Sequence, residues 1–144
     1  MSNLKTVFLA AILTIGGMTV ANAQISQGSV LKVNIPNSFV LADTTFAAGK
    51  YTIERTPSTT DSPSLLILRG KSDSVIFDTI AETSGAPAKS TQLVFDKVDG
   101  TYFLSQIWIK GATAANEIPI SRSQRQMIAR GPVHKVVITT ETGF

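Results

Sequence analysis

Apolar and polar residues alternate along most of the chain in short runs broken by turn residues, the layout of successive β-strands. In Val30–Ile35, Leu31, Val33 and Ile35 fall on one face and Lys32 and Asn34 on the other, and Pro36 ends the run. Phe39–Leu41 is a second short run, followed by a turn at Ala48-Gly49-Lys50. Tyr51–Thr56 alternates again, with Tyr51 and Ile53 inward, before a polar loop over Thr56–Pro63. Leu65–Leu68 is continuously apolar, which predicts a central strand covered on both faces. A turn over Arg69–Ser74 leads into a strand over Val75–Ala81, and Thr83–Ser90 reads as a flexible loop.

The sharpest local pattern lies further on. Gln92–Val98 and Thr101–Lys110, both rich in β-formers, flank Asp99-Gly100. An Asp-Gly pair in that position makes a tight type I′ hairpin, because both central residues need positive φ. The register sets Phe95 opposite Leu104 and Lys97 opposite Tyr102. It puts Phe95, Tyr102, Leu104 and Trp108 on one face and Phe103, Ile107 and Ile109 on the other. Gly111–Glu117 reads as a loop, and Ser121–Arg130 as a short helix. Ser121 and Gln124 have capping-box spacing, and Gly131-Pro132 supplies a stop. Val133–Thr140 is the last strand. About seven strands and one helix, with connections too short for βαβ crossovers, predict an all-β, mainly antiparallel domain: a β-sandwich or small barrel with one short C-terminal helix.

The first 23 residues stand apart. Lys5 gives a positive start, Val7–Val20 is apolar, and Ala21-Asn22-Ala23 is a small-x-small cleavage site. That is the arrangement of a secretory signal peptide, cleaved after Ala23 to leave Gln24 first. The apolar run is shorter than the ~20 residues a spanning helix needs, and no cysteine follows it for lipidation. Residues 24–144 are then a single β-rich domain, periplasmic or secreted, with no stable membrane anchor once the leader is removed.

Composition narrows the chemistry. The 144 residues include no cysteine and one histidine, so disulfides, thiolate metal clusters, cysteine nucleophiles and multi-histidine metal sites are all excluded. No nucleophile elbow, metalloprotease helix or phosphate-binding glycine loop occurs. His134 has no carboxylate or nucleophile near it in sequence, and the pairs Asp96/Asp99 and Asp73/Asp78 only flank turns. No cofactor or metal is expected.

Charge is uneven. The chain carries +3 overall, and residues 118–140 hold Arg122, Arg125, Arg130 and Lys135 with no acid. At helical spacing the three arginines share one broad stripe, with Met127 and Ile128 opposite. A solvated helix face explains this stripe; an anion or partner site is the competing reading, since guanidinium groups suit carboxylates and phosphates. Nucleic acid is not expected, because no aromatic accompanies the basic residues.

Three stretches carry a resemblance: Val33–Arg55, Leu93–Trp108 and Glu117–Gln126. They resemble small exported bacterial proteins, of acidobacterial type, which share an early V-x-I/V-P-F-x-F stretch, then L-P-A-G-x-Y, Y-F-L-S-Q-I/V-W and E-L-P-x-S-R. Tyr102–Trp108 is the most specific match; Asn37 replaces the usual aromatic after Pro36, and Gln124 stands where an acid is common. The resemblance implies export and one β-rich domain, with Glu117, Ser121 and Arg122 forming a unit with the hairpin. Ser121 would cap the helix and Arg122 pair with Glu117.

These readings lead to a non-enzymatic accessory or protein-interaction module, with a protein partner or self-association. Arg122, Arg125, Arg130, Tyr102 and Trp108 are the candidate binding residues; Asp99, Gly100, Ser121 and Gly131 have structural duties. The alternative is a carrier of small apolar ligands, with a cavity between sheets lined by Phe95, Tyr102, Leu104 and Trp108. A hydrolase using His134 or a carboxylate pair is the third reading.

Overall fold

Strands with one apolar face must bury that face against another layer, and here two sheets do so for each other. The computed structural model of the protein describes residues 25, 30–56 and 65–140. The leader and cleavage site predicted over residues 1–23, and all of the polar loop beyond Thr56, lie outside the described residues. The first sheet is formed by β1 (Val30–Ile35), β4 (Gly49–Arg55), β5 (Leu65–Arg69) and β6 (Ser74–Asp78), antiparallel in the order β1-β4-β5-β6. The second has the order β11-β8-β9-β10-β7, from β7 (Ile80–Thr83), β8 (Gln92–Val98), β9 (Thr101–Trp108), β10 (Ala114–Glu117) and β11 (His134–Thr139). The fold is thus the sandwich of the two architectures anticipated. No helix among the described residues is long and apolar enough to cross a membrane.

A small hairpin completes the second sheet. β2 (Phe39–Leu41) and β3 (Thr44–Phe46) turn through Ala42 and Asp43, with φ of 49° and 60°. This is a two-residue turn of positive φ made without glycine, and for that reason the sequence pattern concealed it. β2 then runs parallel to the start of β9, Phe39 beside Tyr102 and Val40 beside Phe103, while β10 takes the far half of the same edge at Gln106 and Ile107. Where the two partners divide, the Ile118 N–H donates to the Ser105 carbonyl at 2.8 Å.

The core fills the space between the sheets with Leu31, Val33 and Ile35 of β1, Ile53 of β4, Leu66 and Leu68 of β5, and Leu93, Phe95, Leu104 and Ile107 of the hairpin. Phe39 is its hub: its ring stacks on Phe46 at 5.4 Å and meets Tyr51 and Phe95 edge-on at 5.3 and 5.9 Å. Gly70 allows this packing, since a Cβ there would lie 2.7 Å from the Tyr51 ring.

The Asp99-Gly100 turn has φ of 47° and 78°, and Phe95–Leu104 and Lys97–Tyr102 pair as the sequence predicts. Past Leu104 the register slips by one, because Ser105 bulges out between the Phe95–Leu104 and Val94–Gln106 pairs. Its hydroxyl donates to the Val94 carbonyl at 3.1 Å. The slip corrects the expected faces: Ile107 joins Leu104 in the core, while Trp108 turns to the outer face with Gln106. Two further expectations change. Val75–Ala81 is two strands, one in each sheet, and the expected loop at Gly111–Glu117 contains β10.

The helix, α1 (Arg122–Ile128), begins at Ser121, whose Oγ accepts from the Gln124 N–H at 3.2 Å. The reciprocal half of a capping box is missing, because the Gln124 side chain points into the sheet and donates to Asp96 Oδ2 at 2.9 Å. The stop differs too. The helix ends at Ala129 with right-handed φ and ψ of −64° and −16°, and Gly131 has no positive φ.

Candidate functional site

Between Asp78 and Ile80 the chain passes from one sheet to the other. The Thr79 N–H donates to Asp78 Oδ1 at 2.9 Å and Thr79 is buried, so the corner is fixed in place. Among the described residues β6 pairs with β5 alone, and β7 with β10 alone. Residues 74–83 therefore border both sheets, and their outward backbone groups have no strand beside them among the described residues. Phe77 and Val75 turn into the core, whereas Ile76 and Ile80 are 57% and 62% exposed. Exposed edges are commonly guarded by lysine or proline; this one has neither, and its charges are Asp78 and Glu82.

Behind the β7 edge lies a polar cluster on the outer face of the second sheet. Glu82 Oε2 accepts from Gln106 Nε2 at 3.0 Å, and Gln106 Oε1 accepts from Trp108 Nε1 at 3.1 Å. Glu117 stands directly opposite Gln106 and shares a hydrogen bond with the Glu82 carboxyl. Two carboxyl groups can share such a bond only when one keeps its proton. The bond holds Glu117 above its ordinary value of 4.5; partial burial and the charge of Glu82 push the same way, and Lys135 opposes them. On the same face, buried Asp96 is held by the Lys135 ammonium at 2.5 Å and by Gln124.

Two acids, an amide that fixes one of them, and an indole beside them together suit an ammonium or guanidinium group. Among the described residues no three potential metal ligands gather.

The expected binding residues are scattered. Tyr102 belongs to the core side, edge-on to Phe95 at 6.5 Å with Lys97 Nζ 5.1 Å from its ring centre. Trp108 lies across the sheet from it, so the two do not share a site. Arg122 and Arg125 are exposed on the helix, Arg125 donating to the Ile120 carbonyl at 3.5 Å. Arg130 falls beyond the helix and lines a separate concavity of about 760 Å³ with Lys97, Asp99 and His134. Arg122 makes no ion pair with Glu117, whose carboxyl is turned to Glu82 instead. Beside Phe95, Tyr102, Ile35 and Ile138 the gap between the sheets offers about 0 Å³ to a water-sized molecule.

Glu82 escaped the sequence reading, and Glu117 was paired there with Arg122, because β7 and β10 bring the two acids together only in the folded sheet. The one available clue was Glu117 within the stretch Glu117–Gln126. No protein family, curated protein or solved structure matches the chain.

Proposed function

We propose that this protein is an exported, non-enzymatic interaction module that takes an extended, basic segment of a partner protein along β6 and β7. The edge itself carries the reading: β6 and β7 have no further strand beside them among the described residues, and Ile76 and Ile80 are exposed. An added strand would pair its backbone with this edge. Its apolar residues would sit against the two isoleucines, and a lysine or arginine would reach Glu82 and Glu117. The acidic guard then selects its partner, repelling acidic strands and being neutralised by basic ones. The leader read in residues 1–23 supports export.

A synthetic peptide of alternating lysine and valine tests this. Binding is expected to weaken about tenfold in a Glu82→Gln/Glu117→Gln variant, the scale of one lost charge-assisted contact. It should also tighten as pH rises past 4.5 and the carboxyl pair gives up its proton. Equal binding of a glutamate–valine peptide, or no binding of the lysine peptide, would sink the proposal.

A further inference from the structure

The outer face of the first sheet carries a second, unrelated feature. Its register sets Lys32 beside Thr52 and Thr52 beside Arg69 across three neighbouring strands. Asn34 pairs with Lys50 one step along, and the turn after β5 brings Lys71 to the same place. Together these six residues line a shallow groove of about 570 Å³, with Thr52 between Lys32 and Arg69 in the register. Glu54 accepts from Arg69 Nε at 2.7 Å, and no second carboxylate holds the guanidinium among the described residues. Among the described residues, Lys32, Lys50 and Lys71 have no carboxylate within ion-pair distance. Four cations against two nearby acids, Glu54 and Asp73, the second close enough to act on Tyr51, give the groove a local +2.

We infer that this groove is a binding site for a small multivalent oxyanion, one bearing two or more phosphate or carboxylate groups. Its volume suits one compact ligand. Cations arrayed on separate strands around Thr52 can each meet a different oxygen, which favours several charges over one. The lining offers little to a lipid surface: Val33 and Tyr51 are buried, and the other lining residues are charged, polar or glycine. Apolar anchoring is therefore lacking, and a soluble anion is the occupant the chemistry fits. The site is independent of the β6–β7 edge and its acids.

Titration of the full chain with inorganic tripolyphosphate, followed by backbone amide shifts, tests this directly. Shifts are expected at Asn34, Thr52 and Arg69 and not at Glu82 or Glu117. Replacing Lys32, Lys50 and Lys71 together by Gln should weaken binding about tenfold or more. Replacing Arg122, Arg125 and Arg130 by Gln removes the same charge elsewhere and should leave affinity within about twofold. Equal losses in the two triple variants would show nonspecific charge attraction and overturn the inference. So would shifts spread over other faces, or binding to phosphatidylglycerol vesicles without binding to tripolyphosphate. The amide map of the unaltered protein decides the matter even if the lysine variant fails to fold.

Discussion

Gln124 does two jobs with two atoms. Its backbone N–H closes the cap of α1 on Ser121, and its side-chain amide satisfies one oxygen of buried Asp96. The helix, too short to be stable alone, is thereby pinned to the sheet by a polar contact where an apolar one is usual. Removing only the side chain leaves a buried carboxylate oxygen without its donor. Gln124→Ala should cost about 1–3 kcal/mol in urea unfolding. Gln124→Glu should cost at least as much, since it sets a second carboxyl against Asp96. A loss near zero for Gln124→Ala would show that water takes over the amide's place. None of this was visible in the sequence, where Gln124 reads as half of a capping box. The spacing correctly found the cap, but it could not reveal that the side chain had a partner on β8.

At the scale of elements, what was legible follows the range of the interaction. The β8–β9 turn was legible because Asp99-Gly100 is a local code, and the alternation of β1 and β4 placed their core faces correctly. The β2–β3 turn was hidden because Ala-Asp is a poor match to the positive φ that it adopts. β10 was hidden because Ala114–Glu117 has little β-former content and becomes a strand only between β9 and β7. The bulge at Ser105 mattered most, since it alone moved Trp108 out of the core face. Deleting Ser105 removes the extra residue and lets β9 pair with β8 without a bulge, so Ile107 should stay in the core and Trp108 on the outer face. The expected loss is about 0.5–1.5 kcal/mol, that of the hydrogen bond from Ser105 to the Val94 carbonyl, with Trp108 emission unchanged. A blue shift of Trp108 emission in the deletion variant would contradict this account of the faces.

For the molecule as a whole, stability against pH reflects two acids pulled in opposite directions. Glu117 titrates near 4.5 when unfolded and higher when folded, so the folded state holds the extra proton. Its contribution therefore falls as pH rises through the window just above 4.5. Asp43 accepts from Ser123 and Ser121, which lower it below 3.8; its contribution is present above 3.8 and is lost as pH falls through the folded value. Melting temperatures across pH should show Glu117→Gln removing the decline above 4.5 and Asp43→Asn removing part of the acid-side loss. For the screened, half-exposed carboxyl pair the change is a few tenths of a kcal/mol. Identical pH profiles for Glu117→Gln and the unaltered protein would count against the shared proton.

The divided edge of β9 also sets the order in which the chain can complete itself. Phe39, hub of the core, sits on a strand whose lateral partner, Tyr102, comes much later in the chain, and the other half of that edge waits for β10. A chain delivered from its N-terminus, as export would deliver it, therefore carries Phe39 and Phe46 unsheltered until the β8–β9 hairpin emerges. Closing such long loops before any reward is gained makes folding slow. During that interval the early aromatic residues are the part of the molecule most exposed to wrong partners.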